Sequence, residues 1–187
     1  MRRVLVTGMS GLIGDAVRRS LEGRWALRAL NRRAVAGVET HQADIQLKLM
    51  AAVRFCRLVV PPMKARGGGR IVNVTTVGGK APAARALPTS VTRAAGINLT
   101  KSLANEYAPD RILVNTICLG LVKSAQWERR AKGDLEGYYR EAAKRVPVGR
   151  MGEAEEFADL VAFLVSARAA YITGAAINFD GGMSASF

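Results

Sequence analysis

The sequence predicts an α/β fold of three layers, in which helices cover both faces of a doubly wound parallel sheet of about six strands. Short apolar runs rich in β-branched residues, such as residues 70–76 and 112–118, alternate with longer segments of helical periodicity, such as residues 46–66 and 88–107. The 187 residues suffice for one domain with a sizeable core. No internal repeat and no linker divides the chain, which indicates a single domain over residues 1–187.

The first strand and the helix after it are joined by a glycine-rich turn. Residues 4–6 are apolar, Gly8, Gly11 and Gly14 follow, and an apolar-periodic segment begins at Asp15. In a Rossmann-like fold these glycines allow a tight turn, a close approach of the backbone to a pyrophosphate, and close helix–strand packing. The N–H groups at the start of the helix then face the phosphates. Glycines at this spacing also occur in ordinary turns, so the motif depends on its context.

A second strand is predicted at residues 26–30, and the residues after it bear on the choice of cofactor. In this fold an acidic residue here binds the adenosine ribose and favours NAD, whereas arginine accommodates a 2′-phosphate. The chain has Asn31, Arg32 and Arg33 at this place. NADP is therefore favoured over NAD, which stays an alternative, and the simpler interpretation is two surface arginines in a loop.

The middle of the chain carries a short strand and a long helix. Residues 38–43 alternate like a third strand. His41 is the single histidine of the chain, and since no second histidine or paired thiolate lies nearby, no metal site is predicted. A long helix is expected over residues 46–66, with the pair Pro61 and Pro62 breaking or kinking it near its end.

The second half repeats the alternation of strands and helices. A β-branched strand at residues 70–76 leads through an alanine- and proline-rich loop to a helix over residues 88–107, with Thr89 or Ser90 as its N-cap. The remaining predicted elements are a strand at 112–118, a polar helical segment at 123–146 that Gly133 and Gly137 weaken, a helix at 153–166 and a strand at 175–179.

Composition sets the compartment and the class of partner. The formal net charge is +13, which keeps binding to nucleic acid or another polyanion as one hypothesis. The arginines are spread along the chain without interleaved aromatic residues, so a basic surface is favoured and nucleic-acid binding is disfavoured. Cys56 and Cys118 lie in apolar segments, which predicts reduced core thiols and a cytoplasmic protein. No apolar run is long enough to span a membrane.

Over nearly its whole length the chain resembles the short-chain dehydrogenase/reductase family. The turn at Gly8, Gly11 and Gly14 is similar to the cofactor turn of that family, and residues 119–124 are similar to its proline–glycine loop. Residues 147–150 and 171–182 resemble its C-terminal signature. The resemblance implies carbonyl/alcohol interconversion on a small-molecule substrate with hydride transfer from or to a nicotinamide dinucleotide.

The resemblance also implies residues for the dinucleotide. They are Gly8, Ser10, Gly11, Leu12, Ile13 and Gly14 at the pyrophosphate, Asn31, Arg32 and Arg33 at the 2′-phosphate, Asp44 and Ile45 at the adenine, and Val122 and Ser124 at the nicotinamide. Many members of the family are dimers or tetramers that associate through two long helices, here residues 46–66 and 88–107. A homo-oligomer is therefore expected.

Two departures from the family concern the arrangement of the chain. The glycine spacing and the residues up to Ile45 resemble the longer branch of epimerases and dehydratases, whereas the chain from Gln46 onward resembles the standard-length ketoreductases. The family also carries a helix and a strand before the long helix, which are missing here. The chain therefore reads as two relatives joined near residues 45–46, and the remaining strands can still form a right-handed crossover.

A third departure concerns catalysis. The places of the family's serine, tyrosine and lysine are held by Thr76, Thr89 and Arg93. Thr76 can still donate a hydrogen bond to a carbonyl, and Arg93 can hold a ribose or stabilise an anion, but it cannot lose its proton. Thr89 is a poor proton donor because an aliphatic hydroxyl is a much weaker acid than a phenol. Either phenol of Tyr138 and Tyr139 could act from another direction, although packing in a covering helix is the favoured interpretation.

Two functions from different classes follow from the sequence. The first is an NADP-dependent oxidoreductase whose activity is weak or lost. The second is a non-catalytic dinucleotide-binding protein, or a recombined scaffold, of the same fold. The proton donor discriminates them, because an inert Thr89 predicts no turnover of ketones with NADPH.

Overall fold

A computed structural model of the chain describes residues 3–7, 26–30, 45–131 and 133–186, the first two ranges by their backbone alone. The strands are β1 (Arg3–Thr7), β2 (Ala26–Leu30), β3 (Gly69–Thr76), β4 (Ile112–Leu119) and β5 (Ala176–Phe179). The α-helices are α1 (Ala51–Ala65), α2 (Thr89–Tyr107), α3 (Ala125–Arg130), α4 (Leu135–Ala143) and α5 (Ala154–Val165). A π-helical turn (Ile45–Met50) precedes α1, and a 3₁₀ turn (Val77–Gly79) follows β3.

All five described strands run parallel in the order β2-β1-β3-β4-β5. The described strands are those predicted from the sequence except the third, whose residues 38–43 lie outside the described part. The pairing of β3 with β4 extends from Gly69 and Ile112 to Thr76 and Leu119, whereas β1 and β3 share only two register pairs. Because the strands are parallel, their carboxyl ends meet at one edge of the sheet, which is where ligands bind in open α/β folds.

The side chains of β3 and β4 alternate between two hydrophobic clusters. One cluster joins the sheet to α5 and includes the fully buried Phe157 and Val161. The other joins the sheet to α1 and α2 and includes Met63, Ile71 and Val114. Helices therefore cover both faces of the described sheet, and the predicted three-layer α/β class is confirmed.

The predicted break of the first long helix and the predicted N-cap of the second were both wrong. Pro61 and Pro62 lie inside α1, which continues to Ala65. Proline removes a backbone donor, but Val60 and Met63 are buried against the sheet on either side of the pair, and this tertiary packing holds the last turn. Thr89 is not an N-cap but the first helical residue of α2, because Pro88 holds the N-cap position.

The polar segment after β4 forms two short helices instead of one. The chain turns between α3 and α4 at Gly133, whose φ of 107° is a conformation that glycine adopts readily. The Asp134 side chain then caps α4 by accepting a hydrogen bond of 2.8 Å from the Gly137 N–H. A Cβ at position 137 would overlap the Asp134 carboxylate, so Gly137 fits the cap instead of weakening the helix.

Candidate functional site

Thr76 ends β3 at the carboxyl edge of the sheet and begins the proposed site. The side chain is half-buried, and the Val77–Gly79 turn follows it directly. Gly78 lies beside this hydroxyl group, because a methyl group at position 78 would be 3.5 Å from Thr76 Oγ1, which is an ordinary contact distance. The β-branched strand therefore delivers a hydroxyl group to the edge at which a substrate would bind.

The turn after β3 packs on the backbone of α2. A Cβ built at Gly79 would lie 2.9 Å from both the carbonyl carbon and the Cβ of Arg93. Arg93 is half-buried one helical turn after the exposed Thr89. The structure thus brings the three residues predicted for catalysis to two elements, β3 with its turn and the start of α2, that are in direct contact.

A polar row between α2 and the sheet, which the sequence analysis missed, sets the position of the helix. Asn73 Nδ2 donates to Thr100 Oγ1 over 2.9 Å, and Thr116 Oγ1 donates to the Asn73 carbonyl over 3.1 Å. Thr75 Oγ1 lies 3.3 Å from Cys118 Sγ, where burial raises the pKa of the thiol. In this row the Asn73–Thr100 bond joins β3 to α2, the helix that carries Thr89 and Arg93, and satisfied buried polar groups favour one packing arrangement.

Lys80 fastens the loop between β3 and α2 to the last strand. Its Nζ donates to the Ala176 carbonyl over 2.6 Å and to Asn178 Oδ1 over 2.7 Å. Charge-assisted hydrogen bonds are stronger than neutral ones. The two bonds join residues that are 96 and 98 positions apart in the sequence, so no periodic pattern could have predicted them.

Val122 and Ser124 follow the carboxyl end of β4, as the resemblance implies for residues near a nicotinamide. Val122 is 3% exposed and forms an isolated parallel bridge with Gly152. Ser124 is half-buried and extended, directly before α3. A cavity of about 200 Å³ adjoins this segment, with Val146, Phe179 and Gly181 among the residues that line it.

Arg150 and Glu156 are among the residues that line the cavity, and a second ion pair, between Lys123 and Glu153, lies in the adjoining segments. Lys123 Nζ bonds Glu153 Oε1 at 2.5 Å and lies 5.4 Å from the centre of the Tyr139 ring. The hydrogen bond to Glu153 raises the pKa of Lys123. Both terminal nitrogens of Arg150 bond the Glu156 carboxylate, at 2.8 and 2.6 Å, and these bonds hold the pKa of Glu156 down at about 2.

Most of the residues predicted to bind the dinucleotide lie outside the described part of the chain. They are Gly8, Ser10, Gly11, Leu12, Ile13, Gly14, Asn31, Arg32, Arg33 and Asp44. Ile45 is described, is 45% exposed and begins the π-helical turn before α1. Tyr138 packs against Trp127 with ring centroids 5.9 Å apart, and Tyr139 lies beside Lys123, so both phenols are packed in the helices after β4.

The described edge fits the nicotinamide end of a dinucleotide in its donor chemistry. Thr76 ends β3, Ser124 follows β4 and the half-buried Arg93 lies on the α2 backbone that contacts the Val77–Gly79 turn, so the elements at this edge carry hydroxyl and guanidinium donors. The nearby Asp180 carboxylate accepts hydrogen bonds from the backbone N–H groups of Gly182 and Ser184, at 3.0 and 2.8 Å. These bonds hold the carboxylate against the backbone that follows β5.

Comparison with known families and curated proteins places the chain in a large group of relatives. Residues 31–184 match the family described as enoyl-(acyl carrier protein) reductase. Nodulation protein G of Rhizobium meliloti is 29% identical over 241 residues, covering 98% of this chain and 97% of the relative. Dehydrogenase/reductase SDR family member 4 of Homo sapiens is 35% identical over 145 residues, but the chain spans only 51% of its length. The chain likewise spans about half the length of several other relatives that it matches.

Solved structures share the fold along the whole chain. L-sorbose reductase from Gluconobacter frateurii, complexed with NADPH and L-sorbose, has a TM-score of 0.85 and 28% identity, and the match covers 100% of this chain and 97% of that one. An NADPH-bound short chain oxidoreductase from Pseudomonas aeruginosa has a TM-score of 0.84 and 25% identity, with coverage of 100% and 98%. That protein is described as containing an atypical catalytic center.

None of the helices within residues 45–131 and 133–186 combines the length and the apolar character needed to cross a lipid bilayer. Cys56 and Cys118 are both buried and form no disulfide bond, in agreement with the predicted reduced core thiols.

Proposed function

The chain belongs to the short-chain dehydrogenase/reductase family, and from this premise we propose that it is an NADP-dependent oxidoreductase acting on a small carbonyl or alcohol. The observation that carries the proposal is the packing of the Val77–Gly79 turn on the backbone of Arg93. This contact holds a hydroxyl residue, Thr76, and a cation at the carboxyl edge of the parallel sheet. Ligands of open α/β sheets bind at that edge.

The proposed cofactor is NADP, with NAD as the alternative. Two relatives of 25–28% identity are described as NADPH-bound structures, which supports this choice. We assign the pyrophosphate to the glycine-rich turn at residues 8–14, the 2′-phosphate to Arg32 and Arg33, and the nicotinamide to Val122 and Ser124. When bound, the nicotinamide would supply or accept the hydride.

The protein's own residues support only part of the chemistry. We propose that Thr76 donates a hydrogen bond to the substrate oxygen and that Arg93 stabilises negative charge or holds the ribose without giving up its proton. Thr89 would have to transfer a proton and is too weak an acid to do so near neutral pH. We therefore propose weak or lost turnover with the binding of the dinucleotide retained. The Pseudomonas aeruginosa relative, described as NADPH-bound with an atypical catalytic center, supports this combination.

The competing function is a non-catalytic dinucleotide-binding protein or a recombined scaffold with the same fold. Two observations favour it: Thr89 is exposed and carries an aliphatic hydroxyl, a much weaker acid than a phenol, and β1 joins β3 through two register pairs. The match to Nodulation protein G extends over 241 residues, more than the 187 of this chain, which supports a missing segment.

Association and location complete the proposal. We propose a homo-oligomer that forms through α1 and α2, because Leu58 and Val91 on these helices are 70% and 58% exposed. A cytoplasmic location fits the two reduced thiols. Light scattering that finds only monomers would contradict the oligomer.

The first experiment is isothermal titration calorimetry with NADPH and NADH. Tighter binding of NADPH than NADH, lost on Arg32→Glu, would support the proposed cofactor site. The matched control is Arg66→Glu, which makes the same charge change on an exposed arginine just after α1, next to the amino end of β3. Absence of binding to either dinucleotide would refute the oxidoreductase proposal.

The second experiment restores a phenol to the site. Thr89→Tyr places the stronger acid at the start of α2, and we expect ketone reduction by NADPH to rise by about 10²–10⁴-fold, the usual contribution of general acid catalysis. Thr89→Ala serves as the control, because it removes the hydroxyl without adding a phenol. If Thr89→Ala abolishes a measurable wild-type rate, then the assignment of Thr89 as inert is wrong.

A further inference from the structure

A continuous network of side chains links the residues after β4 to α4 and α5. Lys123 lies beside the Tyr139 ring of α4 and bonds Glu153, which precedes α5. Glu156 accepts a hydrogen bond of 2.8 Å from the Glu153 backbone N–H and is held on its other side by Arg150. We call these five residues the Lys123 network.

One side of this network is rigidly anchored. The backbone of Lys123 donates to the Gly152 carbonyl over 2.9 Å, and Gly152 donates to the Leu121 carbonyl over 3.0 Å. Glu153 and Glu156 form a capping box at the start of α5, a helix with six buried residues. The ammonium of Lys123 is thus held in place by a fixed partner.

The other side of the network is α4, which contacts the rest of the described structure through half-buried side chains, among them Tyr138 against Trp127. The helix is nine residues long and contains no fully buried residue. Helices of that length are marginal in water without tertiary contacts. The contact of the Lys123 ammonium with the Tyr139 ring therefore adds a second tertiary contact to that of Tyr138 with Trp127, and each matters for so short a helix.

We propose that Lys123 is a positioning residue that fixes α4 beside the segment that carries Val122 and Ser124. Val122 lies in a parallel bridge and Ser124 is extended, and side chains alternate along an extended segment. The Lys123 side chain therefore points to the opposite side from those of Val122 and Ser124. Its bond to Glu153 restrains the backbone between these two residues. This role rests on the proposed function, in which Val122 and Ser124 contact the nicotinamide.

Hydrogen exchange of residues 135–143 tests the structural half of the proposal without any cofactor. Lys123→Met keeps an unbranched stem against Tyr139 and removes the ammonium, and we expect α4 amides to exchange about five- to tenfold faster. Lys144→Met is the matched control, since Lys144, the residue directly after α4, forms an exposed ion pair with Glu141 of that helix. Lys123→Arg should restore slow exchange. Equal exchange in wild type and Lys123→Met, or equal acceleration in both methionine variants, would overturn the proposal.

The affinity for NADPH tests the functional half. We expect the dissociation constant to rise about three- to tenfold in Lys123→Met, to return in Lys123→Arg and to be unchanged in Lys144→Met. Faster exchange of α4 with an unchanged dissociation constant would overturn the positioning role. If the wild type binds no NADPH, the proposed function fails, while the exchange experiment still decides whether Lys123 holds α4.

Discussion

Replacing Gly79 by alanine tests whether the turn after β3 positions the start of α2. Gly79 does not have a positive φ, so the effect of an added methyl group is steric. The new Cβ would lie 2.9 Å from two atoms of Arg93 and 3.0 Å from the Ala94 nitrogen, whereas ordinary contacts begin at 3.4 Å. The turn or the helix must therefore move by about half an ångström. Overpacking of this kind costs about 1–3 kcal/mol of unfolding free energy.

Thermal unfolding and NADPH-dependent turnover measure the two consequences of Gly79→Ala. A loss of 1–3 kcal/mol lowers the Tm of a domain of this size by about 2–12 °C. Displacement of Arg93 is expected to lower any turnover by up to about 10²-fold. The control is Gly78→Ala, whose Cβ would meet Thr76 Oγ1 at an acceptable 3.5 Å and should leave the Tm unchanged or raise it slightly. Equal Tm values for Gly79→Ala and the wild type would refute this account of the site.

Three further predictions concern stability and reactivity. Lys80→Met removes two hydrogen bonds to β5 and should lower the unfolding free energy in urea by about 1.5–3 kcal/mol. Glu156, whose pKa is lowered from 4.5 to about 2 by hydrogen bonds from Arg150, stabilises the fold above pH 4.5, and this contribution is lost as the pH falls through 2. Its side chain is 42% exposed, so Glu156→Gln should cost about 0.5–1 kcal/mol at pH 7 and nothing below pH 2 in acid titrations of unfolding. Burial raises the pKa of Cys56 to about 11 and also raises that of Cys118, so both thiols should react with an aromatic disulfide only in denaturant.

The sequence predicted those elements that local patterns determine. β-branched runs and helical periodicity located β3, β4 and α5 to within two residues, because their buried faces have a regular spacing. The resemblance to the family also located the three substituted residues on β3 and α2. The sequence pattern wrongly predicted a helix break at Pro61 and Pro62. There the burial of the flanking residues outweighs the propensity of proline to end a helix.

Long-range polar contacts could not be predicted in this way. The bonds of Lys80 to β5 and of Lys123 to Glu153 join residues that are distant in sequence and carry no periodic signal. The row of Asn73, Thr75 and Thr100 under α2 has a weak sequence signal, an excess of hydroxyl and amide residues at positions where apolar ones are usual. Pairing such residues with one another required the three-dimensional arrangement.

The proposed site has two halves, one after β1 and one at the ends of β3 and β4, and the pairing of β1 with β3 that joins them is short. The glycine-rich turn follows β1, whereas Thr76 ends β3, and these strands share only the pairs Leu5 with Ile71 and Val6 with Val72. The pairing of β3 with β4 is four times as long, so fewer backbone hydrogen bonds join β1 to β3. A dinucleotide that contacts both the turn after β1 and Val122 after β4 would bridge this short pairing, and its binding would stabilise the alignment of the two halves. We therefore expect binding of the cofactor and alignment of β1 with β3 to depend on each other. The weak acidity of Thr89 is independent of both.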